Sequence, residues 1–191
     1  MAEAASWTQI PRARLAFAKW AKLEYQYPFA AQSSTTSCST ATIRASGDFT
    51  FNITRSGCRM YGAPALIVDF GTAITFDIVS GKGHYLGGLI LPGIAMGLGS
   101  LYEKTALLPK VELKRARSII GKDTVNSMRA GILFGYGAMC DGLIAKYRKI
   151  LGRGLKVIAT GGNAGLIKSY AKYIDIVDSD LTIKSLALVA E

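Results

Sequence analysis

The stretch from Ala65 to Asp77, A-L-I-V-D-F-G-T-A-I-T-F-D, continues after a short turn as Y-L-G-G-L-I-L-P-G and ends at Gly93. It constrains the fold more than any other part of the chain. An apolar run ends in an acid, Asp69, turns through Gly71 and Thr72, and re-enters a second apolar run that closes on Asp77. A third run follows the S-G-K-G turn of Ser80 to Gly83. Both connections are too short for a crossover helix, so strands expected over 65–69, 74–79 and 84–90 must pair antiparallel with their neighbours. A carboxylate and a hydroxyl stand at the first turn, where Gly71 lets backbone N–H groups approach an anion closely because no Cβ intervenes. That geometry suits a phosphate or a nucleotide.

Downstream, the pattern changes to alternating helices and strands. A helix is expected over 94–102, entered through P-G. A long one follows over 123–151, with Thr124 as its expected cap and Val125, Met128, Ile132, Leu133, Tyr136, Met139, Leu143 and Tyr147 at helical spacing. A strand over 156–159 ends in T-G-G and leads to a helix over 164–170, a strand over 174–177 and a last helix over 181–190. Three antiparallel strands followed by helix, strand, helix, strand, helix form an RNase-H-like α/β arrangement, the half-molecule of the actin, sugar-kinase and Hsp70 class.

Half of the 191 residues are hydrophobic, enough for a sizeable core. Every apolar run is broken by glycine or polar residues before it reaches a bilayer-spanning length, so no membrane segment is expected. The first residues carry Glu3 and no basic–apolar leader, which argues against a secretory signal. Cys38, Cys58 and Cys140 lack metal-ligand spacing, and His84 is the only histidine. Scattered thiols fit a reducing cytoplasm. The formal charge of +10 raises a nucleic-acid reading. The basic residues are spread along the chain, however, and the densest group, L-K-R-A-R, has no interleaved aromatics for base stacking. Solvated faces and attraction for anionic substrates are the expected outcome, without nucleic acid.

Composition shifts near Gly62, which divides the chain into a divergent segment over 1–60 and a domain over 61–191. A helix is conceivable over 10–25, and the polar, aperiodic stretch Ser33 to Thr42 suits a loop or disorder. Residues 1–58 are expected to pack poorly on the domain. The apolar face of the 123–151 helix, with Met128, Phe134, Tyr136 and Met139, exceeds what one sheet face needs and points to a dimer interface.

Three short motifs can carry chemistry, and each has a plain structural alternative. Asp69 at the Gly71–Thr72 turn can hold a cation beside polyphosphate, or can simply hydrogen-bond the turn of an ordinary hairpin. Gly161 and Gly162 can let a ligand approach a strand end, or can supply backbone angles for a β–α turn. G-K-D-T, Gly121 to Thr124, can form a small anion or polar-ligand site at a helix N-terminus, or can be a simple N-cap. No G-x-x-x-x-G-K-[ST] is present, which removes a P-loop NTPase at motif level.

From about Tyr61 onward, Y-G-A-P-A-L-I-V-D-F-G-T-A-I-T-F-D, Y-L-G-G-L-I-L-P-G, L-Y-E-K-T-A-L-L-P-K-V-E-L, I-G-K-D-T-V-N-S-M-R-A-G, I-A-T-G-G and D-L-T-I-K-S-L closely resemble the second half of type III pantothenate kinases. The resemblance implies ATP-dependent phosphorylation of pantothenate, the first step of coenzyme A synthesis, in a cytoplasmic homodimer. It implies that Asp69 holds an activating monovalent cation, potassium or ammonium, and that Thr72 contacts ATP, which is used with Mg2+. It further implies that Gly71, Gly161 and Gly162 lie on the nucleotide side and that Thr124 contacts pantothenate. The family's N-terminal D-x-G-N-T phosphate loop is absent, and its G-A-D-R segment has only a partial echo at Asp48, the one candidate for a general base. An inactive remnant or nucleotide-binding module of the same family is therefore the alternative reading. A sugar or acid kinase of the same superfamily is a further one, which G-K-D-T and L-P-K-V-E-L disfavour.

Overall fold

The computed structural model describes residues 49–189. The conceivable helix over 10–25, the Ser33–Thr42 loop and Asp48 lie outside the described residues. Helix α1, Phe49–Tyr61, leads into strands β1, Ala65–Phe70, β2, Ala73–Val79, and β3, Tyr85–Pro92. Helix α2, Ile94–Glu103, and the long helix α3, Thr124–Leu151, follow. Strand β4, Lys156–Thr160, the single turn α4, Ala164–Ile167, strand β5, Ile176–Val177, and helix α5, Leu181–Val189, complete the chain.

The sheet runs in the order β3-β2-β1-β4-β5. β2 is antiparallel to β1 and β3, as the short turns require, while β4 is parallel to β1 and β5 to β4. This 3-2-1-4-5 order with an inverted second strand is the RNase-H-like topology. The parallel β1–β4 pair needs a long crossover, which α2 and α3 provide.

Alternation along the strands gives the sheet two apolar faces. Leu66, Val68 and Phe70 of β1 stand beside Ile78, Phe76 and Ile74 of β2 and pack with Ile94 of α2 and Leu133, Cys140 and Ile144 of α3. On the opposite face Ala65, Ile67 and Ile158 are covered by Ile53 of α1 and Leu181 of α5. Each Val, Leu, Ile or Phe among them contributes about 1.5–3 kcal/mol by leaving water. Tyr61 at the end of α1 donates to Asp178 Oδ2 at 2.7 Å, and Lys184 of α5 donates to both oxygens of the same carboxylate at 2.8 and 2.9 Å. Burial of Asp178 pushes its pKa up, but the hydrogen bonds from Lys184, Tyr61 and the Asp180 amide outweigh that effect and hold it below the usual carboxylate range.

Several expectations need correction. Residues 49–58 do not pack poorly. They form most of α1, which closes one sheet face, and all described residues fall in one compact unit. The cap of α3 is Asp123, whose side chain accepts from the Asn126 N–H at 2.9 Å, not Thr124. The helix expected over 164–170 is one turn, and β5 holds two residues. The apolar side chains reserved for a dimer partner are engaged within the chain. Met128 is buried, Tyr136 and Met139 pack on the core, and the Phe134 ring meets Tyr170 edge-on at 4.9 Å.

Candidate functional site

The face covered by α1 and α5 changes character toward the C-terminal ends of β1 and β4. Along β1, Ala65 and Ile67 are followed by Asp69; along β4, Ile158 is followed by Thr160. Parallel register places Asp69 beside Thr160, and antiparallel register places it beside Thr75 of β2. Asp77, two residues along β2, points to the same face, where it accepts from Thr75 Oγ1 and from the Tyr85 hydroxyl, both at 2.9 Å. An apolar floor thus gives way to a polar patch of two carboxylates and two threonines.

Two close backbone approaches fix this patch. Gly161 has φ +88, and a Cβ there would overlap Asp69 Oδ1 and come within 2.8 Å of the Phe70 carbonyl carbon. The T-G-G turn therefore closes directly on the Asp69 carboxylate. A Cβ on Gly93, at the N-terminus of α2, would overlap the Thr72 carbonyl, so α2 starts against the Gly71–Thr72 turn. Asp69, Gly71, Thr72, Gly161 and Gly162 are brought together at one end of the sheet, with Thr72 exposed to solvent.

Charge and hydrogen bonding at the patch are unbalanced. Burial, with the Asp77 charge second, raises the Asp69 pKa above the ordinary carboxylate range. Neither Lys nor Arg forms a salt bridge with Asp69 among the described residues. The Thr160 Oγ1 is buried and has no hydrogen-bond partner among the described residues. Such orphaned hydroxyls are uncommon in folded chains and call for a partner such as a water, an ion or a ligand oxygen. A cation near Asp69 would relieve the carboxylate repulsion, and a polar ligand would take the Thr160 hydroxyl. No group of three His, Cys, Asp or Glu side chains forms a metal cluster among the described residues, so such a cation would fill its shell from carbonyls, water and ligand oxygens.

Thr124 stands apart. It opens α3 on the exposed surface, where Gly121 packs tightly on Ser127. Tyr136 of α3 reaches the strand-end region, where its hydroxyl donates to the Pro92 carbonyl at 3.1 Å. Twelve residues separate Thr124 from Tyr136, roughly 18 Å along the helix axis. No hydrogen bond joins Thr124 to the Asp69 group among the described residues.

Sequence reasoning passed over Thr160 Oγ1, Thr75 and the bonded state of Asp77. The signal was present: Thr75 and Asp77 are polar at alternate positions of an otherwise apolar strand, and Asp69 lies on the facing strand at the matching phase. Buried Cys140, whose thiol burial pushes up to about 12, is inert and belongs to the core.

A sequence profile of the type III pantothenate kinase family matches residues 48–146. The chain is 46% identical over 131 residues to the type III pantothenate kinase of Koribacter versatilis, covering 69% of this chain and 48% of that protein. It is 47% identical over 132 residues to that of Syntrophobacter fumaroxidans, covering 69% and 51%, and 48% identical over 132 residues to that of Moorella thermoacetica, covering 69% and 52%. The chain thus spans about half the length of the curated relatives it matches.

Proposed function

Because this chain belongs to the type III pantothenate kinase family, we propose that it forms one side of a site in which the γ-phosphate of ATP is transferred to pantothenate, giving 4′-phosphopantothenate at the entry to coenzyme A synthesis. The observation that carries this reading is the meeting of Asp69, the Gly161 turn and the unpartnered Thr160 hydroxyl at adjoining strand ends. Phosphoryl transfer asks little covalent chemistry of a protein. It asks for positioning of the phosphates and compensation of their charge.

In this reading Gly71, Gly161 and Gly162 let backbone amides reach phosphate oxygens, and Thr72 offers an exposed hydroxyl and N–H beside them. Asp69, a half-buried carboxylate with no protein cation to offset it among the described residues, suits a potassium or ammonium ion. Such an ion, with the Mg2+ carried by the nucleotide, supplies positive charge against the phosphate oxygens. Thr124 is assigned to pantothenate, at a helix terminus separated from the phosphate end. The two ends of the substrate pair would then be read by different elements.

The enzyme is assigned to the cytoplasm as a homodimer. Support for association comes from Ile119 and Ile120, 69% and 73% exposed immediately before the G-K-D-T segment. Closure round the γ-phosphate needs groups on the opposite side of the cleft, which the other half of the relatives' length would supply.

The test combines turnover and binding. The purified chain is assayed with ATP, MgCl2 and pantothenate, with and without KCl, while calorimetry follows ATP and pantothenate separately. Potassium-dependent turnover, or ATP binding strengthened by potassium, supports the reading. A chain folded by circular dichroism that binds neither ATP nor pantothenate overturns it.

A further inference from the structure

Between Glu103 of α2 and Thr124 of α3 the chain runs through 104–123 without helix or strand. A connection of that length is uncommon in a packed chain unless it carries function. Its backbone groups must find partners outside any ladder. Tyr170, just past α4, serves two of them at one residue. Its hydroxyl accepts the Ala116 N–H at 2.8 Å and donates to the Ala116 carbonyl at 3.0 Å. A phenol that accepts and donates at the same residue does what a neighbouring strand would do.

The tyrosine is itself held from α3. Its ring meets Phe134 edge-on, and the helix comes so close at Gly137 that a Cβ there would overlap the Tyr170 carbonyl. Two further ties flank Ala116. Arg129 donates from Nε to the Glu112 carbonyl at 3.1 Å, and a Cβ on Gly121 would overlap the Ser127 backbone. The segment is therefore fastened at 112, 116 and 121, in the residues that lead into Thr124. Arg129 and Ser127 belong to α3 itself. Tyr170 lies in the β4–β5 connection that begins with the Gly161 turn, so its clasp joins the two ends of the candidate site.

We infer that Tyr170 is a positioning residue for the pantothenate end of the site, its hydroxyl holding the 104–123 segment and with it G-K-D-T in the arrangement that receives the ligand. This rests on the reading of Thr124 as a pantothenate contact. A segment ordered before the ligand arrives loses less conformational freedom on binding, and affinity is higher by that difference.

Tyr170→Phe removes both hydrogen bonds and keeps the ring against Phe134. Parent and variant are compared by amide hydrogen exchange, by trypsin cleavage and by calorimetry with pantothenate and with ATP. Exchange of the Ala116 N–H and cleavage at the exposed Lys114, Arg115 and Arg117 should each rise about tenfold, as the loss of two ordinary hydrogen bonds implies. Exchange at Val68, in the central strand β1, should stay unchanged. Pantothenate affinity should fall about three- to tenfold while ATP affinity holds within about twofold. Unchanged exchange at Ala116, or equal acceleration at Ala116 and Val68, would overturn the clasp. A freed segment with unchanged pantothenate affinity, or with equal losses for both ligands, would overturn the positioning role. A parent chain that binds no pantothenate removes the reading of Thr124 instead, and the ligand role of Tyr170 falls with it.

Discussion

Gly161 and Asp69 occupy each other's space so closely that a side chain on the glycine would run into the carboxylate. The turn that follows β4 and the acid that ends β1 are therefore one unit, although 92 residues separate them in sequence. Gly161→Ala adds a Cβ at φ +88 as well as the overlap. It should destabilise the chain by ~1–3 kcal/mol and displace Asp69. Gly162→Ala is the control, since a Cβ there meets nothing within 4 Å. Denaturant unfolding should show a large loss of stability for Gly161→Ala and little for Gly162→Ala, and ATP calorimetry a loss of affinity for Gly161→Ala.

Asp69→Asn should raise stability at neutral pH in the absence of added cation. Burial and the Asp77 charge hold the native carboxyl above its ordinary range, so the folded chain keeps a proton that the unfolded chain has lost. Stability then falls as pH rises from the ordinary carboxylate range through the raised native value. Asparagine removes that fall. Melting curves across that range should show a weaker pH dependence in the variant, and KCl should stabilise the parent but not the variant. Equal stabilisation of both by KCl would refute the cation assignment.

Thr160→Val replaces a buried, unpartnered hydroxyl with a methyl of the same shape. Removing an unsatisfied polar group stabilises, here by up to about 1 kcal/mol, while removing a ligand donor weakens binding. A higher melting temperature together with lower ATP affinity is the expected pair of results. A lower melting temperature would mean that the hydroxyl has a partner within the protein.

Asp123 and Thr124 separate capping from ligand contact at the start of α3. Asp123→Ala should lower stability by removing the acceptor for the Asn126 amide. Thr124→Val should leave stability nearly unchanged and reduce pantothenate affinity more than ATP affinity. Chemical denaturation and calorimetry on the two variants distinguish these roles.

Tyr61→Phe removes one of the donors to the buried Asp178 carboxylate and should cost ~1.5 kcal/mol at neutral pH. Asp178 is held below the usual carboxylate range, so this stabilisation is present above that range and is lost as pH falls through the lowered native value. The difference between parent and variant in urea should therefore shrink in acid. A constant difference at all pH values would show that the hydroxyl's contribution does not depend on the charge of Asp178.

The strand pattern from Ala65 to Gly93 was legible because alternation and short turns leave a chain few choices. Three strands with connections of a few residues can only form an antiparallel meander. The long helix α3 was equally legible from its 3.6-residue periodicity. Helix α1 was not, since F-T-F-N-I-T-R-S-G-C-R-M-Y is rich in β-branched and small polar residues that favour helices poorly on their own. Its stability comes from tertiary contacts, with Ile53 set against Ile67 and Leu181. The capping of α3 was misplaced by one residue because aspartate and threonine are both good caps, and only backbone geometry decides which carboxylate or hydroxyl faces the free N–H groups.

By itself, the sequence determined the meander, the long helix, the RNase-H-like order of elements and the acid and glycines at the turns. These are consequences of local spacing, which steric rules and solvent read directly from neighbouring residues. Only the tertiary structure decided that Thr160 stands beside Asp69, that Gly161 closes on that carboxylate, and that Asp77 shares its face. Those relationships depend on the parallel pairing of β1 with β4 across a long crossover. Nothing in the spacing of nearby residues fixes such a register. Burial of both sheet faces does, because slipping β1 by one residue would turn the Asp69 carboxylate from the polar patch into the apolar face packed against α2 and α3.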